Sequence, residues 1–352
     1  MRSVLQGLSG IREHHAGISS EPFYASLFSP VDIPAEPSLT LFEQIAFLSA
    51  RDAIQVSGKV NAGSSLKTGF ILSTTKGNIQ LIENNTDDLI PKERISLNSS
   101  ADRIAKKLGI QSEPIVVSHA CISGLLAMIT GMRLIQSDAY DQVVVTGADL
   151  ITTFIYSGFR SFQAISSKPC RPFDASRDGI SLGEAAATVI LSSNKNPGDL
   201  ELAGGSVSND ANHISGPSRT GEELFLAISR AMTQAGVGPD EIDFISAHGT
   251  ATRYNDDMEA KAIHLAGMDQ VPVNSFKGYY GHTLGAAGIL ESILTMQSMK
   301  ENVLLPTLGF SESGTEQPVN IINKLQAATI NKSLKTASGF GGCNAAIVIV
   351  NC

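Results

Sequence analysis

Short, almost uninterrupted apolar runs punctuate the chain. They are Thr68–Ser73 (TGFILS), Pro114–Ser118 (PIVVS), Gln142–Thr146 (QVVVT), Ala186–Leu191 (AATVIL), Ile242–Ser246 (IDFIS) and Ala346–Val350 (AIVIV). A strand covered on both faces loses the apolar–polar alternation of a half-exposed one, so these runs predict strands of a buried sheet. Between them, Ser38–Ser57 and Gly221–Ala235 carry apolar residues at helical spacing, and Ile122–Ile135 is apolar nearly all round. Two amphipathic helices and one buried helix follow. Alternating β and α segments with covered strands predict a layered α/β fold. The polar stretch Ser192–Leu200, with Asn-Pro and Gly-Asp, marks a seam between two α/β halves, 1–196 and 197–352. The chain shows neither a tandem repeat nor a Pro-rich or Ser-rich linker.

Composition narrows the function classes. The 352 residues are 42% hydrophobic and 17% charged, which is globular rather than disordered usage. A net charge of −8 and the absence of a Lys/Arg run argue against nucleic acid as a partner. An acidic carrier protein stays compatible, because charges more than about 8 Å apart are largely screened at physiological salt and a local basic patch suffices. Cys121, Cys170, Cys343 and Cys352 form neither a CxxC pair nor a zinc spacing, so free thiols in a reducing compartment are expected. No signal-like N-terminus and no run of about 18 apolar residues is present, so no membrane span and a cytoplasmic location are expected.

Four segments carry candidate chemistry. Pro114–Ala127 reads as strand, tight turn and buried helix, with Cys121 beside the helix N-terminus. The positive end of a helix favours thiolate and draws a cysteine pKa from about 8.5 toward roughly 3.5–7.5. A structural cysteine fits this segment equally well. His248 stands just past a strand, in the Gly/Thr-rich loop of Ile245–Glu259, and open α/β sheets collect ligands at strand C-terminal ends. His282 lies in Ser275–Gly288, ahead of a small-residue helix over Thr283–Met296. Neither histidine has metal-ligand spacing to the other, and each alone reads as structural. Together with an elbow cysteine they suggest a Cys-His-His acyl-transfer site. In Ala337–Val348, glycines around Phe340 free backbone N–H groups for an oxyanion, and one such donor is worth about 10²–10³ in rate. Alone, that segment reads as a hairpin turn with a core phenylalanine.

Assembled, these segments resemble the β-ketoacyl-acyl-carrier-protein synthases of the thiolase-like superfamily. The family's TACSSG-like nucleophile motif is His119-Ala-Cys121-Ile-Ser-Gly here, and its PFDxxRDG motif begins at Pro172 and runs on to Glu184. Its AHGTxTxxND motif is Ala247–Asp256, its KSxxGHxxGAAG motif is Lys277–Gly288, and its GFGGTN motif is Gly339–Asn344, all in family order. The resemblance implies a thiolase-like fold with two duplicated α/β halves in α-β-α-β-α layers. It implies Cys121 as nucleophile, His248 and His282 as enolate stabilisers, and Lys277 beside them with Glu259 as its carboxylate partner. It also implies Phe340 as a gate with its N–H in the oxyanion hole, Thr250 and Thr252 on the pantetheine arm, and His213 as structural support. Neither a metal nor a redox cofactor is implied, since acyl groups arrive on the phosphopantetheine of an acyl carrier protein. The relatives are homodimers, and a heterodimer with a related subunit is compatible.

Four departures stand out. The family's opening strand and first helix have no counterpart, Ser3–Ile11 resembling the segment after them, so either the sequence starts short of them, the first expectation, or the core lacks a strand. His119 replaces a threonine, Cys343 replaces the threonine of GFGGTN, and the stretch between Asp149 and Arg171 is compact. Ala-Cys-Ile-Ser-Gly and Ser73–Asn78 resemble specialised polyketide relatives of aryl-polyene type. Two other readings remain: a non-catalytic partner like a chain-length factor, against which Cys121, His248, Lys277 and His282 stand, and a thiolase, which Cys343 alone favours.

Overall fold

The computed structural model describes residues 1–15, 17–28, 33, 36–60, 66–83, 92–211 and 213–351. In the first half, strands β1 (Thr68–Ser73), β2 (Ile115–Val117), β3 (Gln142–Asp149) and β4 (Ala185–Ser192) form a sheet in the order β2-β1-β3-β4. In the second, β5 (Leu200–Asn209), β6 (Phe244–Ser246), β7 (Val273–Asn274), β8 (Lys332–Gly339) and β9 (Cys343–Asn351) form a sheet in the order β7-β6-β8-β9-β5. The first order superposes on the first four strands of the second, β5 being the extra strand. β1 runs parallel to β2 and β3, and β4 is antiparallel to β3. Likewise β6 runs parallel to β7 and β8, and β9 is antiparallel to β8. This is the duplicated α/β architecture that the resemblance implies.

Helices fill the layers. α1 (Leu41–Ser57) and α2 (Leu97–Leu108) cover one outer face, where Phe42, Ile45 and Ile104 pack on Phe70 and Val144. α1 starts at Leu41 rather than Ser38, because Thr40 accepts the Glu43 N–H while the Glu43 carboxylate accepts the Thr40 N–H. α3 (Ser123–Gln136) and α7 (Ala287–Glu301) form the middle layer. There Leu125, Met128, Ile129 and Ile289 meet Val143 and Val145 of one sheet and Ala345 and Ile347 of the other. α5 (Glu222–Ala235) and α6 (Arg253–Leu265) close the far face through Leu224, Ile228 and Met258. A short helix, α4 (Thr153–Ser161), follows β3. No helix of the described residues is long and apolar enough to cross a membrane.

The middle-layer helices touch through glycine. A Cβ on Gly288 would lie 2.6 Å from the Leu125 nitrogen, and one on Gly124 would lie 2.9 Å from the Ile289 nitrogen. Both clashes are with backbone, which cannot rotate away. Gly288→Ala is therefore expected to cost about 1–3 kcal/mol in denaturant unfolding. Gly158→Ala, with nothing within 4 Å, should be neutral or slightly stabilising. Equal stability of the two variants would contradict this packing.

The halves differ at one edge. β5 pairs antiparallel with β9, but among the described residues no strand pairs with the outer edge of β4. An open groove of about 670 Å³ follows that edge, walled by Met128, Met132, Leu191, Leu202 and Met296 and away from the candidate chemistry. The polar stretch from Ser192 to Leu200 bridges β4 and β5.

Candidate active site

Duplication brings strand C-terminal ends together. Cys121 follows β2, His248 follows β6, His282 follows β7 and Phe340 follows β8. After β2 the chain turns through Ala120 at φ 45°, an uncommon conformation for a residue with a side chain, so the elbow is held rather than relaxed. Ser123 holds it. Its hydroxyl accepts the His119 N–H at 2.7 Å and donates to the Ala120 carbonyl at 2.6 Å. Gly339 permits the other wall, since a Cβ there would sit 3.0 Å from both the Cys121 nitrogen and the Cys343 sulfur.

Cys121 is 7% exposed. Burial pushes its thiol up to about 11, against the pull of the Lys277 cation and the Phe340 backbone amide. The lowered pKa expected from the sequence does not hold in the closed site. Helix α3 begins two residues after Cys121, and desolvation outweighs the favourable charges.

The Cys121 sulfur and a ring nitrogen of each of His248 and His282 all lie within 4.8 Å of one another. The two rings are 5.1 Å apart and nearly perpendicular, at 86°. His282 Nδ1 accepts the Leu284 N–H at 3.1 Å, so in the neutral ring Nε2 carries the proton. That Nε2 is buried and has no protein partner. The His282 backbone is pinned by Ser181 and Gly183, which bracket it at 2.8 and 2.9 Å. His248 Nδ1 faces the Lys277 ammonium at 3.2 Å, and an ammonium only donates, so this ring also carries its proton on Nε2. Burial first, and the Lys277 cation next, hold His282 well below 6.5; His248 is lowered in the same order, with His282 adding to it. Both imidazoles are neutral N–H donors.

Lys277 is fully buried and pairs with Glu291 at 2.6 Å, not with Glu259. This corrects the expected pairing. Glu259, on α6, is spent on backbone: it accepts the His248 N–H at 2.8 Å and the Gly249 N–H at 2.5 Å, and also the Thr336 hydroxyl at 2.9 Å. It fixes the loop that carries His248, while Glu291 reaches Lys277 from α7. Thr250 donates its N–H to Asp256, and its hydroxyl lies 2.9 Å from that of Thr252. Both threonines, with Cys121, the histidines and Phe340, line a cavity of about 70 Å³. His119 is exposed. The Cys343 thiol donates to the Phe340 carbonyl at 3.3 Å, and burial pushes it up to about 12. His213 Nδ1 accepts the Ser215 and Gly216 N–H groups, a loop-supporting role. Cys352 lies outside the described residues.

Several contributors escaped the sequence reading. Phe159 and Phe162, around the C-terminal end of α4, each sit 5.3 Å from the Phe340 ring, and Phe159 also meets His282 edge-on at 6.4 Å. Together they roof the site. Asp149 at the end of β3 accepts the Thr75 N–H at 2.9 Å and the Gly285 N–H at 2.7 Å, tying the loop after β1 to the turn after His282. Nothing in the local pattern marks the phenylalanines. Glu291 carried a signal that could have found it, an acid amid the apolar and small residues of a buried helix and so a charge requiring a partner. Among the described residues, Cys121, His248 and His282 are also the group of three donors compact enough to grip one metal ion.

The chain's similarity to known proteins agrees with this geometry. Residues 33–196 match the beta-ketoacyl synthase N-terminal domain and residues 200–311 the beta-ketoacyl synthase C-terminal domain. A mitochondrial chain of Schizosaccharomyces pombe bearing the 3-oxoacyl-[acyl-carrier-protein] synthase name is 30% identical over 341 residues, covering 87% of this chain and 80% of that one. The 3-oxoacyl-[acyl-carrier-protein] synthase 2 of Coxiella burnetii is 28% identical, covering 99% and 93%. Among solved structures, the ketosynthase ApeO in complex with its chain length factor ApeC from Xenorhabdus doucetiae matches at a TM-score of 0.86 and 26% identity, covering 100% of this chain and 93% of that one. The ishigamide ketosynthase/chain length factor matches at 0.87 and 26%, covering 100% and 94%. With both halves matched in order, and with the duplicated fold and the Cys-His-His cluster in place, the chain belongs to the β-ketoacyl synthase family.

Proposed function

We propose that this protein is a β-ketoacyl-acyl-carrier-protein synthase whose nucleophile is Cys121. The observation that carries the reading is the pair of neutral imidazoles, each with Nε2–H available, placed beside a buried thiol. Cys121 sulfur attacks the thioester carbonyl of an acyl carrier protein, and the phosphopantetheine thiol leaves. The N–H groups of Cys121 and Phe340 hold the oxyanion. Malonyl-carrier then enters. Its carboxylate leaves as carbon dioxide, and the electron pair moves onto the thioester oxygen as an enolate held by His248 and His282. The enolate carbon attacks the acyl-Cys121 carbonyl, the sulfur departs, and a β-ketoacyl carrier is released. No step needs a metal or redox cofactor. Thr250 and Thr252 are the contacts for the pantetheine arm, and Lys277, with Glu291, holds His248 in its tautomer.

Cys343 does not favour a thiolase: its proton is committed to the Phe340 carbonyl and its pKa is raised. The described cysteines are free thiols, which supports a reducing, cytoplasmic setting. The partners of the reading are an acyl carrier protein and a second synthase subunit, identical or related. Two structural relatives supply the related case, ApeO with its chain length factor ApeC and the ishigamide ketosynthase/chain length factor.

The test is intact mass after incubation with acyl-carrier substrates. A single acyl adduct, discharged by malonyl-carrier with formation of a β-ketoacyl carrier, is expected. Folded protein that takes up no acyl group from any carrier would move it to the non-catalytic partner class. Discharge by acetyl-coenzyme A without a malonyl group would move it to the thiolases.

A further inference from the structure

Lys335 on β8 is fully buried, and no step above uses it. Its ammonium lies among four oxygens: the carbonyls of Ser246 and Ala247 at 3.2 Å each, the carbonyl of Thr336 at 2.6 Å, and Glu291 Oε2 at 2.8 Å. Three carbonyls and a carboxylate converging on one positive centre make the ligand set of a monovalent cation. Here the cation is covalently attached.

The cage touches His248 from two sides. Ser246 and Ala247 are the residues immediately before it in the chain. The other carboxylate oxygen, Glu291 Oε1, holds Lys277 at 2.6 Å, and Lys277 holds both the His248 carbonyl, at 2.6 Å, and its Nδ1. Glu291 is therefore clamped between two ammonium groups. A lone buried carboxylate facing only Lys277 could swing away, and that would release Lys277 from His248. Burial draws the Lys335 ammonium below its ordinary value, and Glu291 draws it back up.

We propose that Lys335 is a positioning residue for condensation: a tethered monovalent cation that fills an oxygen cage and, through Glu291 and Lys277, fixes His248. The effect on turnover rests on the ketosynthase reading. The cage itself does not, and the two separate in the experiment.

Lys335→Ala empties the cage, whereas Lys335→Met refills it with an uncharged chain of similar length. Each is assayed in buffers whose only salt is tetramethylammonium, ammonium or potassium chloride at equal ionic strength. For Lys335→Ala in tetramethylammonium, kcat for condensation is expected to fall about 10- to 100-fold, the range typical of residues that orient a site's direct ligands. Ammonium or potassium should restore it saturably, while acylation of Cys121 is spared and the unmodified protein is indifferent to the salt. Lys335→Met should stay low in every salt. Thermal melting of Lys335→Ala, which needs no substrate, should rise with ammonium or potassium and not with tetramethylammonium. The proposal is overturned if Lys335→Met matches the unmodified protein in turnover and melting, or if Lys335→Ala gains nothing specific from the small cations. Insolubility of Lys335→Ala in every salt also counts against a refillable cage. Cation-specific melting without turnover in any variant, the unmodified protein included, would keep the cage and sink the ketosynthase reading.

Discussion

Cys121→Ala is expected to abolish condensation, lowering turnover by at least about 10⁴-fold, as removal of a covalent nucleophile does when the remaining machinery has no substitute. Two other described cysteines are candidates for replacement, and the structure argues against both. Cys170 donates its proton to the Lys277 carbonyl and lies outside the cavity lining. Cys343 donates to the Phe340 carbonyl and is pushed up to about 12. The variant should therefore carry no acyl adduct by intact mass, yet still decarboxylate malonyl-carrier slowly, because both imidazole donors remain. Folding should be little affected, since losing one thiol at the turn ahead of α3 leaves Ser123 to hold the elbow. Acylation that persists in Cys121→Ala and disappears in Cys343→Ala would place the nucleophile at Cys343. The raised thiol has a signature of its own. With Cys121 at about 11, alkylation by iodoacetamide should quicken roughly tenfold per pH unit from 7 to 10, following the thiolate fraction. A rate already level at pH 8 would show that the helix end and the Lys277 cation outweigh burial.

Much of the architecture was legible because the sheets are covered. Continuous apolar runs such as Thr68–Ser73 leave little choice but a buried strand, and that strand formed with the same bounds. Besides the two-residue β7, two long strands were not legible, for a shared reason. β5 (LELAGGSVSN) and β8 (KSLKTASG) are built from small and polar residues. In β5, Gly204 and Gly205 remove side chains where α5 and α3 press in: a Cβ on Gly204 would lie 2.2 Å from the Ala231 carbonyl. In β8, buried polarity is what the strand supplies, with Lys335 in its cage and Thr336 on Glu259. The same logic separates the site residues that sequence reached from those it did not. Cys121, His248 and His282 stand in Gly-rich turns after strands, a position with meaning in the chain itself. Glu291, Phe159 and Asp149 act across the fold. Asp149 meets Gly285, 136 positions away, and no local spacing encodes that contact. Glu259 shows the limit from the other side. Its place at the end of the Ile245–Glu259 segment was visible, but whether its carboxylate would face an ammonium or the backbone of His248 and Gly249 depends on where α6 docks.

His282→Ala is expected to reduce condensation about 10²- to 10³-fold, the usual loss for one preorganised donor to a developing oxyanion. The reasoning begins with the Leu284 N–H, which occupies Nδ1 and leaves the proton on Nε2, and Nε2 is buried without any protein partner. A buried donor left unpaired costs free energy and is tolerated where the reacting oxygen will supply its acceptor. Because the donor acts on the enolate, loss should fall on decarboxylation and condensation while acylation of Cys121 proceeds. His282→Gln, whose amide N–H reaches toward the Nε2 position, should recover part of it. Equal loss in acylation and condensation would instead make His282 a scaffold of the cavity. Charge state gives the second reading. Burial first, then the Lys277 and Lys335 cations, hold His282 well below 6.5, and the same cations bear on His248. Both rings should stay neutral, so kcat should not drop as pH passes from 8 through 6.5 on protonation of these groups. Stability behaves oppositely. Above 6.5 the rings are neutral whether the chain is folded or not; below it, the unfolded chain binds protons that the native site refuses, and stability falls as pH falls. His282→Gln removes one such proton, so its melting temperature should decline less steeply on acidification than that of the unmodified protein. A steeper decline would mean that the native site accepts the proton and that His282 is a cationic catalyst.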